Sequence, residues 1–263
     1  MSRGAFLLIA HRGASAVAPE GTRAALREAA RAGAHMVELD VQMTRDGRLV
    51  VFHDDRLERT TNGTGRMRAA RYPALARLDA GSWFHPRFAG ERILLVSQAL
   101  RLVPRRMRIN LELKRTTRRE ALLRRLVRVI RRARAPHRLL LSSFDPALLC
   151  LFRSQRLALA LLCREQPDRS LRTAIRLRCE AWHPRHTLAT PARIARAHAA
   201  GLRVHAWTVD EPARARRLAG LGVDGVFTND PKRLCLDSAR HSSRASPARA
   251  GRVEGLARLR RRR

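Results

Sequence analysis

The feature that most constrains this chain is a strand-then-helix alternation that recurs about eight times along its length. The apolar run Phe6 to Ala10 predicts a first strand. Thr22 to Gly33 predicts a helix, with Thr22 as N-cap, alanine-rich filling and a glycine stop. Met36 to Met43 then alternates, with Val37, Leu39 and Val41 apolar and Glu38, Asp40 and Gln42 polar, which is the period of a strand. An Arg45-Asp46-Gly47 turn leads into a further strand, Arg48 to Phe52. Beyond residue 95 the expected units are a helix from Ser97 to about Val103, a strand Arg108 to Leu113, a helix Arg118 to Ala133, a strand Leu139 to Leu141 and a helix from Pro146. Strand Leu157 to Leu162, helix Asp168 to Leu177, a short strand at Ala181-Trp182, helix Pro191 to Ala199, strand Leu202 to Val209, helix Glu211 to Ala219 and strand Gly225 to Thr228 complete the series. This rhythm favours a parallel sheet closed as a TIM (β/α)8 barrel over an open sheet, and 263 residues is near the ~250 typical of that fold.

Two stretches break the pattern. Residues 55 to 95 carry Thr60-Thr61-Asn62-Gly63-Thr64-Gly65, Tyr72-Pro73 and Gly81-Ser82-Trp83-Phe84, a mixture of turns and scattered aromatics. In a barrel this is most simply an inserted subdomain over one mouth, its aromatics forming a small core of their own or lining the pocket. From about Ser238 the sequence becomes rich in Ser, Ala and Arg and ends in Arg260 to Arg263, which predicts a disordered or weakly helical tail. The expected organisation is therefore one barrel over 1–237, with the insertion at about 55–95, and a basic tail over 238–263.

Net charge is +33, and lysine occurs only at Lys114 and Lys232. Such a charge can signal an anionic partner, but the arginines are spread over every helical segment, which points to a general preference for arginine. The four cysteines, Cys150, Cys163, Cys179 and Cys235, form no Cys-x-x-Cys pair, which argues against zinc ribbons and disulfide frameworks and for buried reduced thiols. The N-terminus faintly imitates a secretory signal, yet its apolar run is short and broken by His11-Arg12, so it reads as the first strand. No stretch approaches the ~18 apolar residues of a membrane span, and a soluble, cytoplasmic protein is expected.

In a barrel, groups at the C-terminal ends of the strands converge on one mouth. That mouth would collect His11 and Arg12 after the first strand, Glu38 and Asp40 on the second, His53 after the third, Glu112 and Lys114 on the next and Trp207 near the end of the seventh. Singly each has an ordinary explanation: His11-Arg12 as a strand exit, His53-Asp54 as a turn, Glu112 and Lys114 as an exposed strand face, Trp207 as core. Together they are chemically coherent. Three carboxylates, Glu38, Asp40 and Glu112, suit a hard divalent cation, Mg2+ or Ca2+, with no cysteine nearby to favour a softer metal. Arg12 and Lys114 could neutralise phosphate oxygens while two histidines divide acid and base roles, which describes metal-assisted phosphodiester cleavage.

The ordered set His11-Arg12-Gly13 with Pro19-Glu20, Glu38-x-Asp40, His53-Asp54, Thr60-x-x-Gly63, Leu111-Glu112-Leu113-Lys114, Trp207-Thr208, Asp224-Gly225 and Thr228-Asn229-Asp230-Pro231 resembles the glycerophosphodiester phosphodiesterase family over about 5 to 235. The resemblance implies a TIM barrel with a small inserted subdomain and hydrolysis of glycerophosphodiesters, such as glycerophosphocholine or glycerophosphoethanolamine, to glycerol 3-phosphate and an alcohol. It also implies Glu38, Asp40 and Glu112 as metal ligands, His11 and His53 as an acid/base pair in unassigned order, and Arg12, Lys114 and Trp207 as phosphate or substrate contacts. Two departures stand out. The family's Pro-Glu-Asn-Thr is Pro-Glu-Gly-Thr here, so Gly21 lacks an amide near the site, and its Ile-Pro-Thr-Leu-Glu-Glu is Ile93-Leu94-Leu95-Val96-Ser97-Gln98. Two other readings stay open: the same fold acting on lysophospholipids, and an inactive barrel that binds nucleic acid or anionic lipid through its basic surface and tail. The favoured partner is a small-molecule glycerophosphodiester, with at most weak electrostatic contact of the tail with anionic surfaces.

Overall fold

The computed structural model describes residues 6–133 and 136–235. The expected tail over 238–263 lies outside them. In chain order the elements are β1 (Leu7–Ala10), α1 (Arg23–Arg31), β2 (Met36–Met43), β3 (Leu49–Val51), α2 (Tyr72–Leu75), α3 (Val96–Leu102), β4 (Arg108–Leu113), α4 (Arg119–Ala133) and β5 (Leu139–Ser143). They continue with α5 (Pro146–Phe152), β6 (Ala158–Cys163), α6 (Pro167–Arg176), β7 (Ala181–Pro184), α7 (Pro191–Ala199), β8 (Arg203–Ala206), α8 (Pro212–Gly220) and β9 (Gly225–Thr228).

The strands run in the order β1-β9-β8-β7-β6-β5-β4-β2, and β1 pairs with β2 through Ile9↔Met36 and Ala10↔Val37, which closes a parallel barrel. The strand expected at Arg48 to Phe52 is not one of its staves. It is β3, antiparallel to β2 with Val41↔Val51 and Met43↔Leu49 in register. The connection explains this: a parallel crossover needs a dozen or more residues, whereas the turn here closes at once. Gly47 adopts φ +78°, and its N–H donates to the Thr44 carbonyl at 3.0 Å. His53 therefore reaches the mouth on the arm of a hairpin.

Helices cover the barrel through one apolar face each; in α4 the buried residues Leu122, Leu126 and Ile130 recur at i, i+4 and i+8. Inside the barrel Ile9, Met36, Leu140, Ala160, Ala181 and Phe227 form a separate cluster that plugs the interior. The buried polar residues of the strands include Asn110, Ser142, His183 and His205. The 55–95 region packs around Leu57, Met67, Leu75, Ala80 and Ile93, together with Val50 and Phe52. That cluster is mostly aliphatic. Tyr72 packs against it, while Trp83 is exposed and meets Phe84 edge-on at 5.6 Å. All four cysteines are free, but only Cys163 and Cys179 are buried; Cys150 and Cys235 are exposed, against the expectation for all four. Among the described residues no helix is long and apolar enough to cross a membrane.

Candidate active site

Every residue of β2 is buried, so its polar alternates Glu38, Asp40 and Gln42 have been carried out of water with the apolar ones. Register places Glu38 opposite Asn110 and Asp40 opposite Glu112 on β4. The result is three carboxylates, Glu38, Asp40 and Glu112, each with an oxygen within 4.8 Å of the others. Burial of like charges at that spacing is costly unless positive charge is close. Lys114 Nζ lies 2.9 Å from Asp40 Oδ1 and 2.7 Å from Glu112 Oε1, and Arg12 Nε lies 3.4 Å from Asp40 Oδ2. Both cations expected to contact phosphate are thus engaged with the carboxylates.

The compensation is uneven. Burial, then the charges of Asp40 and Glu112, push the Glu38 carboxyl well above its ordinary range. Burial and the Asp40 charge raise Glu112 as well, whereas at Asp40 the pull of Lys114 and Arg12 outweighs burial and lowers it. Glu38 Oε2 accepts the Arg12 backbone N–H at 2.9 Å, but its buried Oε1 has no hydrogen-bond partner among the described residues. That backbone bond depends on the turn after β1. Arg12 sits at φ +57° and Gly13 at +86°, where a Cβ on Gly13 would lie 2.7 Å from the Cβ of Ala25.

His11 and His53 are each fixed through Nδ1, by unlike partners. His11 Nδ1 is 2.7 Å from Asn229 Oδ1, which also accepts from Ser15 Oγ at 2.9 Å. Asn229 is in turn oriented by Asp210, whose carboxylate accepts its side-chain and backbone N–H groups at 2.7 Å each. Burial, with the neighbouring Arg12 charge, brings the His11 imidazole down to about 4. His53 Nδ1 instead meets the Asp54 carboxylate at 2.6 Å. Burial alone would raise Asp54, but bonds from Arg59 and His53 bring it to about 2. A continuous chain of ion pairs runs from Asp54 through Arg59 and Glu20 to Arg12. The His53 segment is pinned from below by Gln42, whose Nε2 lies 3.0, 3.0 and 2.8 Å from the carbonyls of Phe52, His53 and Asp54.

The sequence motifs contain Asn229, Asp54 and Glu20, but the supporting roles of these residues, and of Asp210, Arg59 and Gln42, appear only in three dimensions. Trp207 stands further along the mouth, edge-on to Phe144 at 5.6 Å, with its indole N–H donated to the His183 carbonyl at 2.7 Å. Two cavities open from the carboxylates. A small one of ≈ 20 Å³ is bounded by Arg12, Glu20, Gly21, Asp40 and His53 among others, and an open cleft of ≈ 1390 Å³ begins at His53, Glu112 and Lys114. At Gly21 the backbone has φ +70°, a region that glycine and asparagine both tolerate. At the other departure Gln98 Oε1 accepts the Leu95 N–H at 2.8 Å, so the start of α3 is still capped.

Residues 11–233 match the Glycerophosphoryl diester phosphodiesterase family. A glycerophosphodiester phosphodiesterase of Caldanaerobacter subterraneus subsp. tengcongensis is 34% identical over 232 residues, covering 87% of this chain and 96% of that one. One from Bacillus altitudinis is 35% identical over 236 residues, covering 86% and 95%. Among solved structures, an Oleispira antarctica phosphodiesterase in complex with the product sn-glycerol-3-phosphate superposes with a TM-score of 0.84 at 31% identity, covering 89% of this chain and 96% of that one.

Proposed function

The chain belongs to the glycerophosphoryl diester phosphodiesterase family, and we propose that it hydrolyses glycerophosphodiesters such as glycerophosphocholine and glycerophosphoethanolamine to glycerol 3-phosphate and an alcohol. The observation that carries this reading is the meeting, at one barrel mouth, of three carboxylates within 4.8 Å of one another and two histidines each tethered through Nδ1. The donor set is all oxygen, Glu38 Oε1 has no partner among the described residues, and burial together with the Asp40 charge raises both Glu38 and Glu112, so the residues fit a hard divalent cation. Glu38, Asp40 and Glu112 would hold Mg2+ or Ca2+, and the ion would supply charge stabilisation to a phosphoryl oxygen.

The chain's own groups account for the rest. Arg12 and Lys114 bring two fixed cations to the phosphate oxygens as negative charge grows on them. The amide oxygen of Asn229 keeps the proton of His11 on Nδ1, which leaves Nε2 free to take a proton from the attacking water. Asp54 holds His53 the same way, but as a carboxylate it also balances a ring that carries a proton to the leaving alcohol oxygen. His11 is therefore assigned as base and His53 as acid. Trp207 belongs to the wall beside the substrate's alcohol. Purified full-length protein with Mg2+ or Ca2+ should release glycerol 3-phosphate from glycerophosphocholine, and EDTA or His11→Ala should each abolish release. Activity that survives both would sink the mechanism. The nucleic-acid and lipid-binding reading rests on the basic surface and the tail; the tail lies outside the described residues, and that reading leaves the carboxylate and histidine set without a role.

A further inference from the structure

The open cleft beside the carboxylates is biased in charge. Its walls carry Arg56, Arg68, Arg115, Arg119 and Arg164 in addition to Lys114. Carboxylates line it too, but each is already engaged. Asp54 accepts from His53 and Arg59, and Glu112 holds Lys114. Asp145 is held by Arg119 at 2.8 Å and by the backbone N–H groups of Ala147 and Leu148. Asp55 faces Arg68 at 3.5 Å. Arg115 and Arg164, by contrast, form no hydrogen bond or ion pair among the described residues.

The aromatic part of the wall points the same way. Phe144 is 41% exposed, a large apolar ring left open at the cleft, and Trp207 packs against its edge. Open aromatic faces next to free carboxylates are how proteins receive a quaternary ammonium. Here the Arg164 guanidinium already lies 5.4 Å from the Phe144 ring centroid. A cationic alcohol such as choline would meet a cation on the ring and no free carboxylate, whereas an anion would meet two unpaired guanidiniums that suit phosphate oxygens.

Resting on the glycerophosphodiester reading above, we propose that the preferred substrate is one whose alcohol carries a further phosphate, with Arg115 and Arg164 as its binding residues in the cleft. The reaction is unchanged: water oxygen bonds to phosphorus, the bond to the alcohol oxygen breaks, and the departing phospho-alcohol takes the proton. The size of the cleft, ≈ 1390 Å³, leaves room for a group of that bulk.

The test is a direct competition between glycerophosphocholine and 1,3-bis(glycerophospho)glycerol, whose leaving alcohol bears a second phosphodiester charge. Glycerol 3-phosphate release is followed for both. The wild type should favour the anionic diester in kcat/KM by roughly tenfold or more at low salt, and the preference should shrink as salt is added. Arg115→Glu with Arg164→Glu should remove that preference, chiefly by lowering kcat/KM for the anionic diester. Arg131→Glu with Arg132→Glu, in the last turn of α4, makes the same change in net charge and should leave the preference intact. Equal or better use of glycerophosphocholine by the wild type overturns the proposal, as does a preference that survives the Arg115/Arg164 pair or is lost equally in the α4 control. Release from neither diester would instead overturn the parent reading, and this one with it.

Discussion

His205 offers a quantitative test of how this barrel is built. It lies fully buried inside the barrel, its Nδ1 is 3.1 Å from His183 Nε2, and its Nε2 has no partner among the described residues. Burial pushes its imidazole down to about 4, with Arg203 and Arg108 adding to the effect and Asp224 opposing it. In the unfolded chain the same ring titrates near 6.5. The native state therefore keeps His205 neutral where the unfolded chain binds a proton. Stability falls as pH drops below about 6.5 and levels off below about 4. At pH ~4.5 the two values correspond to a loss of about 2.5 kcal/mol from this residue alone, a sizeable part of a typical ~5–15 kcal/mol total. Urea unfolding of wild type and His205→Leu at pH ~7.5 and ~4.5 would read it. His205→Leu is expected to cost stability at both values, because His183 loses its partner, but its drop between them should be smaller than that of wild type by about 2–3 kcal/mol. An equal drop in both proteins would refute the burial argument.

Other outcomes follow from the same contacts. Glu38→Gln should abolish turnover yet raise the melting temperature of the cation-free protein, since it removes a raised, repelled carboxyl; calorimetry with and without EDTA would show both effects. Lys114→Ala should destabilise the cation-free protein by about 3–5 kcal/mol, by leaving Asp40 and Glu112 buried without their closest cation, and millimolar divalent cation should restore much of it. Replacing His53 with Ala should lower kcat by roughly 10²–10⁴, and Asp54→Asn should act in the same direction with little change in KM. Gly21→Asn should fold normally at φ +70° after a small shift of Val51, whose Cγ1 would sit 3.2 Å from the new Cβ, and should change kcat/KM, whereas Gly21→Val should unfold more readily.

The eight staves were legible because each is a short apolar or alternating run punctuated by a helix of ordinary length. The carboxylates were legible for a related reason: period two on β2 and β4 sets Glu38, Asp40 and Glu112 on one side of adjacent strands. β3 was misread because its composition is that of a buried strand, and only the brevity of the turn before it shows that the chain must double back. The partner that aims His11 was illegible for a different reason. His11 and Asn229 are 218 residues apart in sequence, and nothing local in either stretch says that they touch. Gln42 looked like one more polar alternate, though its amide holds three successive carbonyls of the His53 arm. Of the two places considered for the insertion's aromatics, a core of their own is met at its edge by Tyr72, while Leu57, Met67, Leu75 and Ile93 fill the centre and leave Trp83 exposed.

The most direct check on the central claim is glycerol 3-phosphate release from a glycerophosphodiester, measured against Mg2+ or Ca2+ concentration in wild type and in Glu112→Gln. Wild type should be inactive after EDTA treatment and saturate as either ion is restored, while Glu112→Gln should need far more ion or stay inactive. Full release by metal-free wild type, or identical ion dependence in the two proteins, would contradict a reaction built on Glu38, Asp40 and Glu112.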